Sequence, residues 1–211
     1  MASLYALLRH LQGKQDLAWY CVLVCGCSIS GTFVLQLLTT LVQNRFFVFG
    51  CARASLTYEG NVVCMEITTP THWRIRGGQY INVWMPGLSI RSVFQSHPFV
   101  VAAADQQEPG VKLELLIWPQ RGWTSHLQHR AVHVDRKSQS YRVVFTGPHG
   151  TSAPVHDYGV VVLAATGSGI FAQLPYLQQL VRGYDNFVCR TRRIHLVWQL
   201  DQLGTVLFLC S

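Results

Sequence analysis

The sequence is poor in charge. Only 13% of its 211 residues are Asp, Glu, Lys or Arg, against roughly 25% in an average soluble domain. With half of the chain apolar, that deficit points to a membrane segment or to an unusually buried protein. Acidic residues are scarcest, ten against 17 Lys and Arg, and the net charge is +7. The positive excess suits an anionic partner, but it gathers into no stripe or run, so nucleic acid is not the expected one. Phosphorylated cofactors and anionic lipid fit equally well. The seven cysteines show no disulfide framework, consistent with a reducing compartment for most of the chain. No metal-ligand spacing is present either. Cys25-Gly26-Cys27 is too tight for a zinc pair and lies in an apolar run without histidines, so it reads as packing.

Charge is absent altogether from Leu17 to Asn44, between Asp16 and Arg45. That is the length a helix needs to cross a bilayer. Trp19 and Tyr20 stand at one end, where amphipathic rings favour the headgroup level, and Gly26, Ser28, Ser30 and Gly31 permit close helix contact. A signal peptide is the competing reading, but its apolar part would be shorter and end at a small-residue cleavage site. We expect a membrane segment over 1–45, with a transmembrane helix over about 17–43. Basic residues flank both sides, so charge alone does not set its orientation.

From residue 46 to 150 the pattern becomes short strands: Phe46 to Tyr58, Val62 to Thr68, Tyr80 to Trp84, His97 to Ala103, Val111 to Trp118 and Tyr141 to Phe145. Glu59-Gly60-Asn61, Arg76-Gly77-Gly78 and Pro109-Gly110 are the turns between them. This spacing predicts a small antiparallel barrel. In Gln95-Ser96-His97-Pro98-Phe99-Val100-Val101-Ala102, a strand would send His97, Phe99 and Val101 to one face. Pro98 cannot donate to a ladder, which makes the strand an edge or an interrupted one. Free main-chain groups beside an aromatic ring suit a flat heteroaromatic ligand; an ordinary edge strand suits them too. One helix interrupts the strands, at Gly122-Trp123-Thr124-Ser125 and His126 to Arg130, with Thr124 or Ser125 as the expected N-cap. Its first turn reads as an anion site or as a plain capped start.

Residues 151–211 read as part of an α/β domain. The apolar run Gly159 to Ala165 suits a buried parallel strand. It leads into Thr166-Gly167-Ser168-Gly169, an amphipathic helix carrying Ile170, Leu174, Leu177 and Val181 on one face, and a second strand from Arg193 to Trp198. Pro175 is expected near the first helical turn. A strand, glycine-rich turn and helix of this kind presents amides to a pyrophosphate. The full G-x-G-x-x-G is lacking, since Ala172 follows Gly167 and Gly169, so a nucleotide site and a structural turn are even readings. Little remains after Trp198, and the domain looks cut short after its first β-α-β unit.

The order of these pieces resembles the fungal ferric and cupric metalloreductases of the membrane flavocytochrome b and NADPH oxidase superfamily. The resemblance runs from about His10 to Asp201. It is carried by Trp73-Arg74 with Gly78-Gln79-Tyr80, by Phe94-Gln95-Ser96-His97-Pro98-Phe99, by Gly147-Pro148-His149-Gly150, by Gly169-Ile170-Phe171-Ala172-Gln173-Leu174-Pro175-Tyr176-Leu177, and by Arg193 to Asp201. It implies a transmembrane helix, then a ferredoxin reductase-like antiparallel barrel that binds FAD, then a partial α/β domain that binds NADPH. His97, Pro98, Phe99 and Val100 would line the isoalloxazine, and Gly122, Trp123 and Thr124 would cap the FAD pyrophosphate. Gly147, Pro148 and Gly150 would form the turn between domains on the nucleotide side. Thr166, Gly167, Ser168, Gly169 and Ile170 would hold the NADPH pyrophosphate.

The implied activity is that of a membrane-bound ferric-chelate reductase in iron and copper uptake. Electrons would pass from NADPH through FAD and haem b to ferric or cupric ions outside. The family places such proteins in the plasma membrane, in contact with lipid, with the flavin and nucleotide domains facing the cytosol. His10 stands where the family carries an outer haem ligand, and its partner would lie on haem-bearing helices before Met1. The family's C-terminal Cys-Gly pair is missing. Two further readings stay open: a superoxide-forming NADPH oxidase relative, and a catalytically incomplete membrane fragment. The Phe94-Gln95-Ser96 run and Gln173-Leu174-Pro175 favour the reductase.

Overall fold

A computed structural model describes residues 17–44, 52–69, 73–88, 95–107, 110–133 and 140–200. The chain divides into two bodies, Met1–Gln43 and Asn44–Ser211. His10 lies outside the described residues.

The first body is the helix α1, Leu17–Gln43, 27 residues long. At 1.5 Å per residue it measures about 40 Å, against about 30 Å for the hydrocarbon core of a bilayer. It is long and apolar enough to cross a membrane, with none of its apolar window buried against protein. Its threonine hydroxyls are satisfied internally. Thr32 Oγ1 donates to the Ile29 carbonyl at 2.9 Å, and Thr39 and Thr40 donate to Gln36 O at 2.9 and 2.8 Å. An apolar surrounding demands that economy, because an unpaired hydroxyl has no water to turn to.

The second body is built on antiparallel strands. β1 (Arg53–Glu59) and β2 (Val62–Thr69) form a hairpin in which Glu59 faces Val62 across a two-residue loop. Gly60 and Asn61 both hold positive φ, 54° and 68°, as the favoured hairpin turn requires. β3 spans Tyr80–Trp84, β4 His97–Val100, β5 Ala103–Gln107 and β6 Gly110–Ile117. α2 spans Trp123–His133, β7 Tyr141–Arg142 and β8 Val144–His149. Five strands pair in the order β5-β6-β2-β1-β7, and three in the order β4-β3-β8. The expected barrel is thus two antiparallel ladders, not one closed ladder, among the described residues.

Strict alternation explains the core. Val63, Met65 and Ile67 of β2 face Ile117, Leu115 and Leu113 of β6, and all six are buried. Each contributes roughly 1.5–3 kcal/mol by leaving water. The intervening residues make a polar strip, where Lys112 Nζ lies 2.8 Å from Glu66 Oε1 and the Cys64 thiol donates to Glu114 Oε1 at 3.4 Å. Burial first, and then the Glu114 charge, push the Cys64 thiol up to about 12 from 9.0. The thiolate is the nucleophile. In the folded chain at pH 8, Cys64 should therefore react with iodoacetamide about a thousandfold more slowly than an ordinary cysteine, and at the ordinary rate in urea. Peptide mass mapping of the time course checks this.

The expected strand His97 to Ala103 is broken at Val101-Ala102. There the chain changes sheets: Val101 N donates to Gln79 O beside β3, and Ala102 N donates to Glu114 O in β6. One segment so serves both ladders. The segment expected to run from Tyr141 to Phe145 is also two strands, and β8 continues through Gly147-Pro148-His149. A bulge accommodates the extra residues, since Tyr80 faces His149 while Asn82 faces Thr146. Only Gly150 then turns, with φ of 86°.

After the bulge come β9 (Val160–Thr166), a 3-10 turn at Gly167–Gly169, α3 (Ile170–Asp185) and β10 (Arg193–Gln199). β9 and β10 pair in parallel from Val160↔Arg193 to Thr166↔Gln199, which makes the β-α-β unit. Pro175 is the sixth residue of α3, not in its first turn as expected. Having no N–H, it leaves the carbonyl four residues back without its helical partner.

Candidate functional site: an aromatic stack on an edge strand

β4 bonds only β3 among the described residues, with Val83↔His97, Asn82↔Pro98, Ile81↔Phe99 and Tyr80↔Val100 in register. Its other edge pairs with no strand among the described residues, as the proline predicts. His97 and Phe99 point to one side, and the Trp123 ring lies over both. The His97 and Trp123 centroids are 4.4 Å apart with planes at 26°, and Phe99 and Trp123 are 5.6 Å apart at 27°. Trp123 is the first residue of α2 and is buried. The strand and the helix start, 26 residues apart in the chain, thus meet in one group.

The helix begins differently from expectation. Neither Thr124 nor Ser125 caps it, because both lie inside α2. Gly122 makes the turn with φ of 78°, and the His126 amide reaches its carbonyl at 3.3 Å. Thr124 Oγ1 instead accepts from the Gln120 N–H at 2.9 Å, tying the incoming loop to the helix. A Cβ built on Gly122 meets nothing within 4 Å, so the space above this turn is open. Glycine is required here by conformation, not by crowding.

Two polar atoms in the stack are buried without a partner among the described residues, His97 Nε2 and Trp123 Nε1. Orphans of this kind are uncommon and call for an explanation such as a bound group. The stacked rings, the β4 edge, the bare Gly122 turn and the two orphaned nitrogens all fit a flavin, which offers a flat ring, carbonyls and hydroxyls. Burial lowers the His97 pKa below 6.5, which keeps the imidazole neutral near pH 7. As pH falls, the unfolded chain takes up this proton before the folded one. The stability contributed here is therefore whole above about pH 6.5 and is lost as pH drops through the lower folded value. His97→Gln should flatten the acid limb of Tm against pH below about 6.5.

The predicted nucleotide residues fall into two places. Thr166 ends β9, and Gly167, Ser168 and Gly169 form the turn into α3. Trp198 Nε1 donates to Gly167 O at 3.0 Å, fixing that turn from β10. No side chain caps α3, and a Cβ on Gly169 would meet open space. The side chain of Ile170 is core, packed with Val62 and Phe171, and its N–H donates to the Ser168 carbonyl. Gly147 and Pro148 belong to the bulged end of β8, where Thr146 Oγ1 and His149 Nε2 are 3.0 Å apart, and Gly150 turns just after it. Ser152, two residues beyond Gly150, carried no signal in the sequence beyond its adjacency to the Gly-Pro-His-Gly run; its hydroxyl is also buried without a partner among the described residues. A cleft of about 290 Å³ opens elsewhere, between Ile75–Gly77 and the Pro175–Arg182 face of α3, and includes none of the stacked residues.

A sheet-switching edge strand bearing an aromatic stack, followed by a β-α-β unit, defines a flavin-binding reductase fold. The family model for an FAD-binding domain matches residues 48–153. The curated relatives include the "Ferric/cupric reductase transmembrane component 2" of Saccharomyces cerevisiae, 26% identical over 168 residues, covering 79% of this chain and 22% of the relative. They also include its "Ferric reductase transmembrane component 3", 30% identical over 128 residues, covering 60% and 17%. The "Respiratory burst oxidase homolog protein F" of Arabidopsis thaliana is 27% identical over 144 residues, covering 59% and 14%. Among solved structures, a ferredoxin NADP+ reductase from Neisseria gonorrhoeae with bound FAD and NADP aligns with a TM-score of 0.54 at 19% identity, over 77% of this chain and 62% of that one. The chain belongs to the FAD-binding ferric reductase and NADPH oxidase family, a family of oxidoreductases. It spans about a fifth of the length of the curated relatives it matches.

Proposed function

We propose that the chain is the flavin-bearing part of a membrane-bound, NADPH-dependent ferric-chelate reductase, delivering electrons toward haem and then ferric or cupric ions in metal uptake. The stack of His97, Phe99 and Trp123, with its two orphaned nitrogens, is the observation that carries this reading. Bound FAD supplies the redox chemistry, accepting an electron pair and releasing single electrons. His97, Pro98, Phe99 and Val100 line the ring, Phe99 and Trp123 exclude water from one side, and neutral His97 offers a hydrogen bond at Nε2. Gly122, Trp123 and Thr124 place the start of α2 against the FAD phosphates. Gly147, Pro148, Gly150 and Thr166 to Ile170 receive NADPH on the other side, with the α3 amides toward its pyrophosphate.

The domain division proposed is 1–45, 46–150 and 151–211, with α1 crossing the plasma membrane, lipid around it and the two nucleotide-binding parts in the cytosol. Haem b is the proposed next electron carrier, with His10 as an outer ligand. In the purified chain, loaded with FAD under anaerobic conditions, NADPH should bleach the flavin and ferricyanide should restore it. A flavin-loaded chain that NADPH leaves oxidised would contradict the proposal. The burst-oxidase relative supports a second reading, a superoxide-forming oxidase. Superoxide that persists with excess ferric chelate present would favour it.

A further inference from the structure

Tyr176, in the second turn of α3, is used by neither the stack nor the glycine-rich turn. Its ring lies against Gly77 and Gly78, in the loop before β3. A Cβ on Gly77 would stand 2.7 Å from Tyr176 Cδ1 and 2.9 Å from Cγ, and one on Gly78 would meet the Tyr176 hydroxyl. No other residue fits under this ring. The hydroxyl accepts from the Ala153 N–H at 3.1 Å, on the segment that leaves β8. One helical turn on, Gln179 Oε1 accepts from the Gly77 N–H at 3.4 Å, and Gln79 Nε2 donates to Gly150 O at 3.4 Å. The cleft at Ile75–Gly77 opens beside this contact, and a separate apolar joint, Ile170 and Phe171 against Val62, holds the start of α3 to the strands.

We propose that Tyr176 is a positioning residue, a clasp that seats in Gly77-Gly78 and fixes the β-α-β unit against the flavin-binding strands. The clasp itself follows from contacts. Its purpose, holding the α3 turn at a fixed distance from the aromatic stack for hydride transfer, rests on the function proposed above. Transfer of this kind is sensitive to misplacement of about 1 Å.

The glycines supply a clean test. Gly78 has φ of 80° and is strained by any side chain. Gly77 does not, so alanine there is opposed by the tyrosine ring alone. In the full chain in detergent, amide hydrogen exchange is followed in peptides covering Gly77 and Ala153. Gly77→Ala and Tyr176→Ala should each raise exchange in both peptides by about tenfold or more, leaving β2 and β6 protected. Combining them should add nothing, because the ring that alanine displaces is already gone. Tyr176→Phe should affect the Ala153 peptide alone. In flavin-loaded variants, the limiting rate of flavin reduction by NADPH should fall with the half-saturating NADPH concentration unchanged. Additive effects of the two alanine changes, or unchanged exchange at both peptides, would overturn the clasp. Exchange behaving as expected in a chain that takes up no flavin would uphold the clasp and refute the function.

Discussion

Trp123→Ala is expected to destabilise the second body by about 3–5 kcal/mol, the usual loss for a buried tryptophan. For a unit of this size that lowers Tm by roughly 10 °C. The residue is buried and stacks on two rings at once, so its removal leaves His97 and Phe99 without cover. Flavin affinity should fall in the same variant. Trp123→Phe separates the two effects. It keeps an aromatic face on His97 and Phe99 while deleting the orphaned Nε1 and part of the ring area. If that nitrogen bonds the flavin, affinity drops by about tenfold, the worth of one hydrogen bond, while Tm falls far less than in the alanine variant. Fluorescence titration with FAD alongside thermal unfolding reads both. Equal flavin affinity in wild type and Trp123→Ala would remove the stack from the binding site.

Gly147→Ala should cost about 2–5 kcal/mol, adding backbone strain to overpacking. Gly147 holds φ of 131°, and its missing Cβ would stand 3.1 Å from Tyr80 O, 3.1 Å from Ile81 Cγ2 and 3.2 Å from His149 N. Two of those neighbours are main chain in the β3–β8 ladder and yield only by breaking the bulge. The same change at Gly159, which faces open space without positive φ, should move stability by no more than about 0.5–1 kcal/mol. Urea midpoints of the two variants make the comparison. Equal losses at both positions would show that the bulge does not need its glycine.

Local chemistry explains what was legible in the sequence. The Gly60-Asn61 hairpin, the alternation in β2 and β6, and the β-α-β unit are each dictated within a few residues by turn type or period. The edge position of β4 followed from Pro98 alone. His97 and Phe99 were legible as a pair on one face; that Trp123 covers them was not, because the contact joins a strand to a helix start. The sheet change at Val101-Ala102 and the bulge at Gly147-Pro148 depend on which ladder is nearer. Tyr176 was legible only as part of the Gly169 to Leu177 motif, because its glycine seat lies about a hundred residues earlier in the chain. Capping propensity favoured Thr124 and Ser125, but Gly122 starts the helix because its open turn needs positive φ.

The account rests on flavin seating in the His97–Phe99–Trp123 stack. The most direct measurement is the visible absorbance and FAD content of the full chain, purified in detergent, loaded with FAD and desalted. About one FAD per chain, reduced at least tenfold in affinity by Trp123→Ala, is the predicted result. A folded chain that keeps no flavin after desalting would contradict it.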